Sequence, residues 1–225
     1  MANTFTLASQ QALGDLQTFI QRAIRVNNGS ARVIVTEGLL QVYVGILLPR
    51  GLLDRTPTVL GLRVSPVARG EDCDAIVPLE ALQHRIGVAL EAPNPGVTLP
   101  AEVASLAWSA ITPPRQEWRR RRAIASQILA DAARSGIARV AEAVPESAGE
   151  AIVQKVRAEV WGEMVPHHTI IPAGAGFAAD ALGFLSDSNL EVHSRGTWVR
   201  LSSSGGYVLV KFPTGYDFGP DDEDA

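Results

Sequence analysis

The chain has 225 residues, 46% of them hydrophobic and 20% charged, and a net charge of −4. That balance excludes wholesale disorder, and the single cysteine, Cys73, excludes an internal disulfide and any zinc site needing two or more thiolates. No apolar run reaches the ~18 residues of a spanning helix, and the N-terminus lacks a basic region followed by an apolar stretch. A soluble cytoplasmic protein is expected.

Leu13, Leu16, Phe19, Ile20, Ala23 and Ile24 recur at helical spacing and predict a helix over about 8–26. Thr6 or Ser9 can cap it, and Asn27-Asn28-Gly29 can end it. The period then changes. Residues 32–36 and 39–44 read as a hairpin turning at Glu37-Gly38, and 58–64 as a third strand between Pro57 and Pro66. Pro78 suits the first turn of a helix running to about Ile86. Residues 92–96 (Ala-Pro-Asn-Pro-Gly) read as a turn or linker, and 101–110 as a short helix ended before Pro113-Pro114.

Arg115 to Ser135 is predicted as a helix with Ile124, Ile128, Leu129, Ala132 and Ala133 as its buried stripe and Gly136 as its stop. Glu146 to about Met164 reads as another, with Ile152, Val156, Val160 and Met164 at four-residue spacing. Gly176 to Leu185 gives a further helical face. Residues 190–193, 198–201 and 207–212 then read as three strands, turning at Arg195-Gly196 and at 203–206. The expected fold is α+β, with antiparallel β-rich N- and C-terminal parts flanking a helical middle. The expected organisation is an N-terminal α+β unit (1–92), a helical segment (97–165), a C-terminal helix plus three-stranded unit (166–213) and a disordered acidic tail (214–225). Both ends run helix, strand, Gly turn, strand, turn, strand. That order fits a divergent αβββ duplication, or two independent instances of a common unit.

The tail Asp221, Asp222, Glu223 and Asp224 accounts for the whole net charge. Between Arg115 and Arg139 stand seven arginines against Glu117 and Asp131, whereas residues 140–225 hold five basic and thirteen acidic groups. No chain-wide basic field for nucleic acid exists, and the opposed blocks can attract each other within the fold or across a dimer. Only Lys155 and Lys211 are lysine among 20 basic residues, which with the abundant alanine reads as genome bias rather than phosphate recognition.

Residues 171–179, Ile-Pro-Ala-Gly-Ala-Gly-Phe-Ala-Ala, are followed by Leu182-Gly183-Phe184-Leu185. Then come 196–202, Gly-Thr-Trp-Val-Arg-Leu-Ser, and 206–211, Gly-Tyr-Val-Leu-Val-Lys. Over about 166–212 this pattern resembles a group of uncharacterised conserved actinobacterial proteins. The resemblance implies a bacterial cytoplasmic protein. It supplies no catalytic residues, because the group has no established activity.

No constellation for catalysis emerges from the residues, and no catalytic residue, cofactor or metal site is assigned. His167-His168, if extended, point to opposite faces and cannot readily share a metal; His193 is remote, and His84 with Glu80 offers two ligands at best. Cys73 lies between Asp72 and Asp74, which suppress a thiolate. Gly174, Ala175 and Gly176 open a helix and form a candidate anion-binding site, against the alternative that small residues serve close packing. They lack the third glycine and acidic partner of a dinucleotide fingerprint. Arg115, Trp118, Arg119 and Arg122 are the candidate partner-binding residues, three arginines sharing a helix face beside an aromatic ring; Arg121 is expected to pair with Glu117.

The sequence therefore favours a non-enzymatic interaction or regulatory protein, with a protein partner or self-association and no membrane. Its contact surface is the arginine helix or the sheet around Trp198 and Tyr207. One alternative is a small-molecule or anion binder, or an enzyme, using 174–176 with His167 or His168. The other is nucleic-acid binding through Arg115, Arg119 and Arg122.

Overall fold

A computed structural model describes residues 3–51, 54–104, 107–145, 149–216 and 218. The chain divides into two compact units. The first comprises Met1–Gly45 and Leu62–Thr112, the second Ile46–Gly61 and Pro113–Ala225.

The first unit begins with strand β1 (Thr4–Leu7) and helix α1 (Gln10–Val26). Ser9 caps α1 by accepting from the Ala12 N–H at 3.1 Å, and Leu13, Leu16, Phe19, Ile20 and Ala23 form its buried stripe. Strands β2 (Ser30–Thr36) and β3 (Leu39–Leu47) form the expected hairpin. Glu37 and Gly38 both take positive φ, 53° and 74°, as a two-residue turn matching strand twist requires.

Strand β4 (Thr58–Gly70) runs past Pro66, where the sequence suggested an end. Proline lacks only a donor, and its carbonyl accepts from Ala8 at 3.1 Å. Strand β1 then pairs with this far end, Thr6 opposite Arg69 and Leu7 opposite Val67. Strand β5 (Cys73–Pro78) pairs with β2. Helix α2 (Leu79–Glu91) starts just after Pro78 and runs one turn beyond Ile86, because Ala89 continues the stripe of Leu79, Leu82 and Ile86. Strand β6 (Gly96–Thr98) pairs with β1. Residues 101–104 are not helical, and Ala107–Ala110 form a single 3-10 turn; 105 and 106, inside the helix expected there, lie outside the described residues. The sheet order is β5-β2-β3-β4.

The second unit overturns one expectation. Arg115 to Ser135 is not one helix. Arg119–Ala125 is strand β7, and helix α3 (Ser126–Ala143) starts only afterwards. Glu117 takes φ 59°, which a helix cannot contain. Arg119–Ala125 instead pairs antiparallel with strand β8 (Asn189–Arg195). Two hydrogen bonds hold the junction: Ser126 N–H donates to the Ser188 carbonyl at 3.0 Å, and its hydroxyl donates to that of Asp187.

Helix α4 (Glu150–Gly162) and helix α5 (Ala173–Leu182) follow. The start expected for α4 at Glu146 lies outside the described residues, as does most of the acidic tail. Gly183, at φ 76°, closes α5. Strands β9 (Trp198–Ser203) and β10 (Gly206–Lys211) complete the antiparallel meander. The order is β4-β10-β9-β8-β7, the second unit's share of β4 being Thr58–Gly61. The sequence α1-β2-β3-β4 of the first unit recurs as α5-β8-β9-β10 in the second. The fold is mixed α+β, with strands at both ends and most of the helix between them.

Candidate functional site

Directly paired residues on neighbouring strands share a face of the sheet. Val192, Leu201 and Val208 align across β8, β9 and β10, and all are buried. Helix α5 packs against β10 and α3 against β7, closing this inner face. Arg121 lies opposite Val192, so it belongs to the inner side, where its Nε–H donates to Ser194 Oγ at 2.8 Å. Arg119 is opposite Ser194 and falls on the same side. Arg120 alternates to the opposite face. Beyond Arg121 the register shifts, leaving Arg122 and Ala123 together facing Glu191 as a bulge.

The arginines thus do not share one helix face. They stand at the edge of a sheet and distribute over its two sides. Arg119, Arg120 and Arg122 are exposed, and Arg120 lies 3.9 Å from Glu191. Among the described residues β7 pairs with β8 alone, so one side of its backbone faces away from the sheet.

On the outer face a second row aligns: Arg120 opposite His193, and His193 opposite Arg200. Residues 116–118 reach this face. The Trp118 ring covers the Arg200 guanidinium at 4.7 Å, and Tyr207 flanks the same group at 5.9 Å. Trp118 Nε1–H donates to the Pro114 carbonyl at 3.0 Å. Glu117 pairs with Arg195 at 2.6 Å, and Arg195 also donates to the Gln116 carbonyl. Burial lowers the pKa of His193; the positive charges of Arg200 and Arg120 act in the same direction, and Glu191 opposes them.

Gly174, Ala175 and Gly176 are all buried. A Cβ on Gly174 would lie 3.0 Å from the Trp161 carbonyl and 3.1 Å from a Leu47 methyl, and one on Gly176 would lie 2.8 Å from the Leu129 carbonyl. Protein fills the space beside the helix start, which is the close-packing alternative. A cavity of about 430 Å³ does adjoin Ala173. Ile128, Ala132, Val160 and Met164 give it apolar walls, and Asp131, Arg139, Glu163 and His167 stand around them. Arg139 and Glu163 bond to each other through two 2.6 Å contacts. His167 and His168 lie in a turn rather than a strand, with His168 N–H donating to Val165 at 2.9 Å and His167 at φ 65°.

Burial is the largest cause raising the Cys73 pKa; Asp74, Glu102 and Asp72 add to it, and the Val35 backbone works against it. The thiol is therefore held protonated, as the flanking carboxylates led us to expect. Glu80 accepts from Asn28 at 2.8 Å. Among the described residues no three His, Cys, Asp or Glu side chains are grouped to hold a metal ion, and no helix is long and apolar enough to cross a membrane.

The outer-face row of Arg120, His193 and Arg200 was missed in the sequence. Alternation over residues 119–125 and 190–201 carried the signal, but only once residues 119–125 are taken as a strand.

The chain is similar in structure to DNA polymerase sliding clamps. For the clamp of Pseudomonas aeruginosa the identity is 14% and the TM-score 0.49, covering 96% of this chain and 65% of that one. For that of Caulobacter crescentus they are 12% and 0.47, covering 100% and 70%. For the Bartonella birtlesii clamp bound to griselimycin they are 10% and 0.45, covering 96% and 66%. The chain thus spans about two thirds of these proteins' length. No curated protein matches it in sequence. The likeness over residues 166–212 to uncharacterised proteins falls inside the second of two matching family models. Residues 1–110 match a domain of unknown function, DUF8010, and residues 113–215 match another, DUF8185, and these two families together account for nearly the whole chain.

Proposed function

We propose that this protein is a non-enzymatic interaction module, and that it binds an acidic, extended segment of a protein partner as an added strand beside β7. One observation carries the reading: the edge strand of the second unit is Arg-Arg-Arg-Arg-Ala-Ile-Ala, with three of its arginines exposed. A bare edge offers a row of backbone donors and acceptors. Edge charge alone discourages strands of like sign, while a strand rich in Asp and Glu meets both the backbone ladder and the guanidinium groups. The bulge at Arg122 and Ala123 turns part of the edge and sets where such pairing ends.

The test is calorimetry with a synthetic Asp/Glu-rich peptide, joined to amide hydrogen exchange. Binding is expected to slow exchange in β7 and to weaken as salt rises. Reversing Arg119, Arg120 and Arg122 to Glu is expected to weaken it about 100-fold, since each exposed contact contributes roughly 1 kcal/mol. Two results would defeat the reading: binding without protection of β7, or preference for duplex DNA over the peptide. Light scattering on the protein alone reports whether a second copy supplies the strand.

A further inference from the structure

Arg120, His193 and Arg200 lie directly opposite one another across β7, β8 and β9 on the outer face. Like charges in such cross-strand positions repel. Three donor-bearing atoms at this place are buried and have no hydrogen-bond partner among the described residues: Nδ1 of His193, Nε of Arg200 and Oγ of Ser202. Ser202 is two residues from Arg200 on β9 and faces the same side. Buried polar groups are nearly always partnered, so three orphans on adjoining strands, beside the Arg120 guanidinium and with only Glu191, opposite Ser202, carrying negative charge among them, mark a place built for a further anion.

What covers the row is held lightly. The Trp118 ring lies on Arg200. The segment that carries it is tied to β8 through Arg195, by its exposed pair with Glu117 and its bond to the Gln116 carbonyl, while Trp118 Nε1–H bonds within the segment to Pro114. Glu117 stands in the left-handed region, unfavourable for a non-glycine residue. A stronger anion can compete for these cations and lift the indole.

We propose that Arg120, His193, Arg200 and Ser202 form a seat for a phosphomonoester dianion, with Trp118 as its lid. Three donors on three side chains suit a group with three terminal oxygens better than a carboxylate with two. The groups facing His193 are Arg120 from β7, Glu191 from its own strand and Arg200 from β9, so an anion in the seat shifts the balance toward the imidazolium. Binding of an anion of fixed charge then takes up a proton and tightens as pH falls, whereas a phosphomonoester loses its dianion over the same range. The seat does not require a strand at the β7 edge.

The experiment is NMR of the full chain titrated with inorganic phosphate at pH 7, following the His193 imidazole and the Trp118 indole. Both signals are expected to move together, with at least tenfold weaker binding in Arg200→Met. Arg120→Met replaces an exposed side chain and tests the seat should Arg200→Met fold poorly. Sulfate, whose charge is constant over this range, is expected to bind more tightly at pH 6.0 than at pH 7.5 and to lose that dependence in His193→Gln. A phosphoserine peptide that binds at least tenfold tighter than inorganic phosphate, and than its unphosphorylated twin, makes the source a modified protein. Equal affinity for free phosphate and the phosphopeptide makes it a small phosphorylated molecule. Shifts that survive both Arg variants, shifts absent at millimolar phosphate, or equal response to an internal phosphodiester of single-stranded DNA would each overturn the seat.

Discussion

Gly136 sits under the six-membered ring of Trp161, and a Cβ there would overlap that ring. The indole is 2% exposed and stacked on Phe177 with centroids 4.5 Å apart, so it has no room to withdraw. Gly136→Ala is expected to destabilise the protein by about 3 kcal/mol through overpacking. Gly14, inside α1, has open space where its Cβ would go. Gly14→Ala is expected to stabilise by about 0.5–1 kcal/mol, because alanine loses less backbone entropy in a helix. Thermal unfolding of the two variants beside the wild type reads both signs in one experiment. The sequence assigned Gly136 a helix stop; the structure gives it a contact with a ring 25 residues away, which no local pattern encodes.

A second residue-scale case concerns charge. Arg32 holds Asp74 with bonds of 2.8 and 2.6 Å, donates to the Ser109 carbonyl at 2.7 Å, and so ties β2 and β5 to the 3-10 turn. Its hydrogen bonds lower the Asp74 pKa, burial opposing them and the guanidinium charge adding to them. A depressed carboxyl contributes stability above its unfolded value, near 4, and loses it as pH falls through the lower folded value. Asp74→Asn is expected to be less stable than wild type at pH 7, with the difference shrinking as pH falls below about 4 and lost once the folded carboxyl is protonated. Urea midpoints at several pH values check this, and a gap that stayed constant with pH would deny the ion pair its role.

At the scale of elements, strong periodicity was legible and short pairing was not. The stripe from Leu13 to Ala23 and the Glu37-Gly38 hairpin follow from side-chain spacing and turn chemistry alone, and both stand in the structure. β1, β5 and β6 have four, six and three residues and exist because a neighbour pairs with them. Alternation is present in Thr4-Phe5-Thr6-Leu7 of β1, but strands this short give too few repeats to stand out. The misreading of 115–125 has a different cause. Arginine is a good helix former, and the stripe from Ile124 onward belongs to a true helix, so the pattern extends backward without contradiction. The contradiction lies in β8, whose apolar Leu190 and Val192 need a partner strand some 70 residues upstream. Consequently the candidate arginines were placed on a helix face, whereas Arg119 and Arg122 stand in an edge strand. Their register with His193 and Arg200 stayed invisible until the strand was known.

At the scale of the whole chain, the family boundary and the structural units divide it differently. The family matches break at 110–113, yet Ile46–Gly61 belongs structurally with the second unit although it lies in the first match. That segment supplies specific contacts there. Leu47 packs at the Gly174 helix start, Arg50 pairs with Glu150 at 2.9 Å, and the beginning of β4 lies in the second unit beside the strand order ending in β7. A fragment cut at the family boundary, residues 113–225, therefore lacks part of its own core and a neighbour for β10. It is expected to show reduced helix and strand signal and no cooperative melt. Adding separately expressed residues 1–112 is expected to restore both, because the missing segment then returns in trans. Circular dichroism of each fragment and of their mixture decides it. A cooperative transition in 113–225 alone, at a temperature close to that of the intact chain, would mean that Ile46–Gly61 contributes nothing the second unit needs.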